Sequence, residues 1–222
     1  MKSVKRLFRK LLVMCAILGA LFTGRFSLMT GFAQPPSPNP QAVETLNGTV
    51  RQYLMNPDGE VDGLLLVDGS QVNFPPHMST DLTSAIKPKD TVSVQGQHEN
   101  AYVFRAFAIA NTGTGKSVSE SFPPRGQLPL PPEVRAANRK PLQADGKIVA
   151  LLFAPRGEPS GAVLDDGSIL RVPPHVGVQL SNLLKIGQAI SARGYGTENE
   201  FGRCLEVREI GATGQPLIPL YL

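Results

Sequence analysis

A ten-residue stretch, Asp68-Gly-Ser-Gln-Val-Asn-Phe-Pro-Pro-His77, returns 98 positions later as Asp166-Gly-Ser-Ile-Leu-Arg-Val-Pro-Pro-His175. Carboxylate and imidazole are common zinc and copper ligands, so these repeated Asp and His residues are the first place to look for chemistry. Each copy supplies one His and no Cys in a ligand pattern, which is too few donors for a metal centre. Asp68 and Asp166 have a simpler use as the Asp-Gly of a tight hairpin. His77 and His175 are left as metal candidates only as single imidazoles, and no cofactor is expected. Glu60 and Glu158 also recur, as do Arg105 and Arg203. A structural ion pair closing a barrel end is the expectation for them, ahead of an anion site. No Ser-His-Asp order, paired-carboxylate motif or phosphate-binding glycine loop stands out, so the chain is not expected to be an enzyme.

The elements that position these residues come from a duplication. With Gly48 over Gly146 the two copies run without a gap to Arg105 over Arg203, sharing glycines, prolines and apolar positions. Self-similarity of this kind marks an internal repeat. A repeat that keeps mainly turn and core residues has kept its fold and need not have kept a site.

Each copy has the same punctuation. A first strand (49–55, 147–153) ends at Pro57-Asp-Gly59 or Pro155-Arg-Gly157, which are turn formers. A second strand (64–67, 162–165) leads through Asp-Gly, read as supplying two positive-φ positions, into a third strand through Val72 and Phe74, or Leu170 and Val172. Beyond Pro-Pro, Met78, Leu82, Ala85 and Ile86 fall at helical spacing, matched by Val176, Leu180, Leu183 and Leu184. Alternation over 91–96 and 189–194 gives a fourth strand, and 101–110 and 201–210 a fifth.

Three strands, a helix and two strands in about 65 residues resemble the OB-fold, a five-stranded Greek-key barrel with its helix between strands three and four. The fold class expected is therefore all-β with one short helix per domain, as two small OB-like barrels in tandem. An SH3-like small barrel is the alternative. The resemblance implies a ligand face along strands two and three, flanked by the loops after strands one and four. By alternation its outward residues are Leu65, Val67, Gln71 and Asn73 in the first copy, and Val163, Asp165, Ile169 and Arg171 in the second. Val149 and Leu151 are the outward residues expected on the second copy's first strand. From these, Leu65, Gln71, Asn73, Val163, Ile169 and Arg171 are taken as the candidate ligand or partner face. The second barrel thus has an apolar outer face, to be covered by the first barrel, the tail or another protein.

Residues 1–33 have a basic start, an apolar run from Leu11 to Gly24, and small residues before Gln34, the layout of a secretory signal. That run is shorter than the roughly 20 residues that span a bilayer, so a cleaved signal is expected ahead of an uncleaved membrane anchor. The expected order is signal (1–33), Pro-rich tether (34–45), first barrel (46–111), Pro-rich basic linker (112–143), second barrel (144–212) and apolar tail (213–222). The chain carries a net charge of +4, but six of its basic residues lie before residue 34 and leave −2 beyond it. Neither barrel is basic, which weighs against nucleic acid, since phosphate neutralisation supplies most non-specific affinity. With the signal removed, Cys204 is the one cysteine left, so no intramolecular disulfide forms and stability rests on packing.

The expected function is a secreted or periplasmic, non-enzymatic protein that binds a protein or envelope component through its barrel faces. Single-stranded nucleic acid or another anionic polymer is the alternative, and metal binding through the repeated His a second one.

Overall fold

The computed structural model describes residues 43–122 and 131–221. The expected signal, most of the tether, and the centre of the linker, 123–130, lie outside the described residues. The described chain is mostly strand. In the first half β1 (Glu44–Met55), β2 (Val61–Leu66), β3 (Gln71–Asn73), α1 (Ser79–Ala85), β4 (Thr91–His98) and β5 (Val103–Asn111) follow one another. A sixth strand, β6 (Ser117–Ser119), and a short helix, α2 (Pro132–Ala136), occupy the span read from sequence as linker. The second half repeats the order as β7 (Lys140–Phe153), β8 (Pro159–Leu164), β9 (Ile169–Arg171), α3 (Pro174–Gln179), β10 (Ala189–Asn199) and β11 (Gly202–Ala212). It ends in β12 (Ile218–Pro219).

Both halves close into OB-like barrels. β1 pairs antiparallel with β2 through its C-terminal half and with β4 through its N-terminal half, which is why it starts at Glu44 and not at Thr49. Closure comes from the parallel pairing of β3 with β5, and of β9 with β11. The loop after Pro76 feeds a helix that covers one end of each barrel. In the second half the tail docks as β12 against β11, and Leu220 packs on the second core.

The repeated pair Gly63 and Gly161 is explained by close approach. A Cβ on Gly63 would lie 2.2 Å from the Val72 carbonyl oxygen, and one on Gly161 2.0 Å from that of Leu170. Strongly coiled strands of a small barrel bring backbones this near only where no side chain intervenes.

The Asp-Gly hairpins differ in one respect from expectation. Only Gly69 and Gly167 have positive φ; Asp68 and Asp166 do not. Gly69 N–H donates to Leu66 O (3.0 Å) and Leu66 N–H to Ser70 O (2.9 Å), a type I turn followed by a glycine bulge. The Asp side chain instead accepts from the backbone two residues on, Asp68 Oδ1 from Ser70 N–H at 2.9 Å and Asp166 Oδ1 from Ser168 N–H at 2.8 Å.

A second difference concerns the last strand. Gly96 pairs with Ala106 and Gly194 with Val207, so the copies there are offset by 101 positions, not 98. The β10–β11 hairpin holds three extra residues. Arg105 therefore corresponds to Glu206, and Cys204 to Val103, and the sequence match of Arg105 with Arg203 is coincidental. The glycines agree: a Cβ on Gly96 would strike the Arg105 carbonyl, and one on Gly194 that of Glu206.

Candidate functional site: the contact between the barrel faces

Alternation turns Leu64 and Val72 into the first barrel and leaves Leu65 and Gln71 pointing out of it. An outward residue of an isolated barrel meets water. Yet Leu65 is 0% exposed and Gln71 2%, and their counterparts Val163 and Ile169 are 0% and 1%. The cover is the other barrel. Val163, Ile169, Cys204, Ala150 and Leu152 of the second half belong to the same apolar cluster as Leu65, Met55 and Leu54 of the first. The core inside the second barrel, with Ile148, Leu164, Leu170 and Leu205, is a separate cluster.

The predicted ligand faces thus meet each other. Leu65, Gln71, Val163 and Ile169 lie buried between the barrels, with Asn73 and Arg171 half-buried. Val67 and Asp165 stay exposed at the Asp-Gly turns. The expectation for Val149 and Leu151 is corrected in part. A bulge between Ile148 and Ala150 shifts β7, so Ala150 and Leu152 join the inter-barrel cluster together with Val149, while Leu151 packs on the second barrel's own core.

The polar contacts are reciprocal. Gln71 uses its side-chain amide as a strand would use its backbone: Oε1 accepts from Phe153 N–H (2.9 Å) and Nε2 donates to Phe153 O (3.1 Å). In return, Met55, the counterpart of Phe153, offers its carbonyl to Arg171 Nε at 3.1 Å. The β4–β5 loop sends Asn100 Nδ2 to the Ala154 carbonyl (2.9 Å), and the β10–β11 hairpin sends Asn199 Nδ2 to the Gly59 carbonyl (2.9 Å). Aromatic rings follow the same plan, with Tyr102 stacked on Phe153 at 4.2 Å and Phe201 edge-on to Tyr53 at 5.7 Å. In each barrel the loops after strands one and four, the flanks of an OB ligand site, are engaged by the other barrel.

Charge is used at the rim. Arg171 reaches Asp62 with bonds of 2.8 and 3.1 Å, and Arg139 ties Asp58 of the first half (2.7 Å) to Glu206 of the second. Enclosure raises the Asp62 carboxyl above the usual carboxylate range, and the Arg171 guanidinium works against that rise.

Cys204 is fully buried in this contact and its thiol donates to the Met55 carbonyl at 3.2 Å. Burial pushes the thiol up to about 12, so almost no thiolate forms near neutral pH. A maleimide or disulfide reagent at pH 8 should modify Cys204 at least about a hundredfold more slowly in the native protein than in urea, read by mass spectrometry of the Cys204 peptide. Equal rates would mean that the barrels part freely.

The remaining sequence candidates lie elsewhere. His77 stands in the turn before α1, where Nε2–H donates to the Ser121 carbonyl at 2.8 Å, and His175 is exposed on α3. Among the described residues, no group of three or more His, Cys, Asp or Glu is close enough to share a metal ion. Glu60 accepts from Asn56, Arg105 pairs with Glu120 at 2.9 Å, and Arg203 pairs with Glu198 at 2.8 Å, so the expected Glu60–Arg105 pairing does not form. Sequence reasoning missed Asn100, Asn199, Phe201 and Asp62. The one signal for the first three was the unequal hairpin length.

Fold and contact together define a tandem OB-like protein whose two barrels dock through the faces of their second and third strands. No protein-family profile matches the chain, and no curated protein matches it. Among solved structures, the wild-type single-stranded DNA-binding protein of Thermus aquaticus and a deletion variant of it align at 12% identity with TM-scores of 0.24. These alignments cover 80% and 79% of this chain and 94% and 95% of those chains. The superposition is loose, and the OB assignment stands on the strand pairing itself.

Proposed function

We propose that the protein is an exported, non-enzymatic binding protein whose two barrels act as one docked unit and meet a protein of the cell envelope with their outer surface. The observation that carries this is the reciprocal covering of the OB faces, which leaves the outward grooves as the shaped surface on offer. One groove of about 430 Å³ is lined by His77, Arg105, Phe107, Glu120, Ser121 and Phe122. The Arg105 guanidinium lies 5.5 Å from the Phe107 ring, and Phe122 is 96% exposed. Arginine and aromatic residues are the side chains that most often anchor protein interfaces. Export, to the periplasm or outside the cell, is supported by the basic start and the apolar run of Leu11 to Gly24. Envelope extract passed over the wild type and an Arg105→Ala/Phe122→Ala variant of matched Tm should show a partner lost from the variant. An identical set of retained proteins would sink this groove.

Single-stranded nucleic acid is the second reading, favoured by one observation: both barrels keep a complete OB face with its flanking loops, capped among the described residues by each other. A titration with labelled single-stranded DNA at low salt separates the two. Binding by an Ile169→Asp variant well above wild type would make the capped face a ligand site; binding by neither at tens of micromolar protein removes this reading.

A further inference from the structure

We propose that β6 is a self-docking edge, through which two copies of the chain join their sheets antiparallel about Val118. Among the described residues β6 is the last strand of its sheet and pairs only with β5, in the register Ala108↔Ser119, Ile109↔Val118 and Ala110↔Ser117. The flanking rungs are Asn111 N–H to Lys116 O (2.8 Å) and Glu120 N–H to Phe107 O (2.7 Å). Hydrogen-bonded and non-bonded pairs alternate along an antiparallel ladder, so Val118 exchanges bonds with Ile109. Ser117 and Ser119 therefore aim their N–H and C=O groups away from β5. Both are exposed, and the edge borders an open groove of about 700 Å³ lined also by Asp81, Ser84 and Ala85 of α1.

Four outward backbone groups call for an extended chain, and the sequence says which one. Lys116-Ser-Val-Ser-Glu120 is complementary to itself. With Val118 opposite Val118 of a second copy, each Ser117 faces a Ser119 and closes two backbone hydrogen bonds, giving four in all. The same register sets each Lys116 opposite a Glu120, whose carboxylate already pairs with Arg105 of its own chain at 2.9 Å, so Lys116 adds a second cation to it at both ends. Both charged residues are exposed. β12, the added strand on the other barrel, lacks this capacity: Pro219 within it and Pro216 before it have no N–H to offer, a usual way of blunting an edge. β6 itself, Ser117-Val-Ser119, contains no proline.

A strand of three residues buries less than a standard interface, so the pairing is weak and concentration-dependent. Sedimentation velocity of the purified protein from about 5 to 500 µM should show a shift from monomer to dimer. Ser119→Pro removes an outward N–H without touching a rung to β5, and should abolish the dimer with Tm unchanged. Lys116→Glu and Glu120→Lys each place like charges opposite one another and should each weaken self-association at least about tenfold. Mixing those two variants restores both attractive pairs, and a heterodimer should appear. A monomer throughout the range, a dimer indifferent to Ser119→Pro, or no heterodimer on mixing would each overturn the proposal. The test uses no ligand, so its outcome is independent of the envelope partner.

Discussion

Ile169→Asp is expected to part the two barrels while leaving each one folded at low temperature. Ile169 is buried, yet its side chain belongs to the inter-barrel cluster and not to the core of its own barrel. Removing it forfeits about 1.5–3 kcal/mol of apolar burial. A carboxylate in its place is set among the apolar side chains of that cluster, so the total should reach about 3–5 kcal/mol. Against a usual domain stability of about 5–15 kcal/mol, that is enough to undo a contact between two barrels that are each marginal at this size. The result should be a strongly lowered Tm, rapid modification of Cys204, and a retained β-type far-ultraviolet spectrum at low temperature. An unchanged Tm would show that the faces do not depend on each other.

Arg171→Ala should cost a comparable amount, about 3–5 kcal/mol at neutral pH, because it strands a partly buried carboxylate. Arg171 holds both oxygens of Asp62 and the Met55 carbonyl, and only about a quarter of the Asp62 side chain remains exposed. The Asp62 carboxyl is raised by enclosure even with Arg171 present. Without the guanidinium the rise must grow. A carboxyl with a raised folded-state pKa binds its proton more tightly in the folded chain, so folding is favoured below that value and loses ground as pH rises through it. The deficit of Arg171→Ala should therefore be largest at pH 7–8 and shrink as pH falls toward the ordinary Asp value of about 3.9. Asp62→Asn, which keeps an acceptor for Arg171 and removes the charge, should cost no more than about 1.5 kcal/mol. Urea unfolding from pH 4 to 8 measures all three proteins, and a pH-independent deficit for Arg171→Ala across that range would refute the role given to Asp62.

The elements that could be read from sequence are those whose chemistry is local. Asp-Gly followed by Ser makes its turn with groups no more than a few residues apart, and Pro-Pro before Met78 and Leu82 ends a strand and opens a helix without outside help. The barrel order followed from these. β6 was not readable, because a three-residue strand of two serines and a valine has no periodicity to detect; only its pairing with β5 makes it a strand. The loop insertion was masked by Arg105 and Arg203 falling into a gapless match that the backbone does not follow. The covered face was legible as a set of residues but not as a destination. Leu65, Val163 and Ile169 look the same in sequence whether an external ligand, a partner or the neighbouring barrel removes their water.

Phe153 lies along Gln71 much as a bound strand would, and Arg171 grips the Met55 carbonyl in return. Each barrel is in this sense the other's resident occupant, tethered within one chain, and any outside ligand for these faces begins as a competitor. If separation costs about 3 kcal/mol, the faces are bare in roughly 0.6% of molecules, and apparent affinity for a ligand of one face falls about 160-fold. A ligand that contacts both bared faces recovers that loss by engaging twice. For any ligand of these faces, the docked pair would thus set a threshold that favours divalent occupants over monovalent ones.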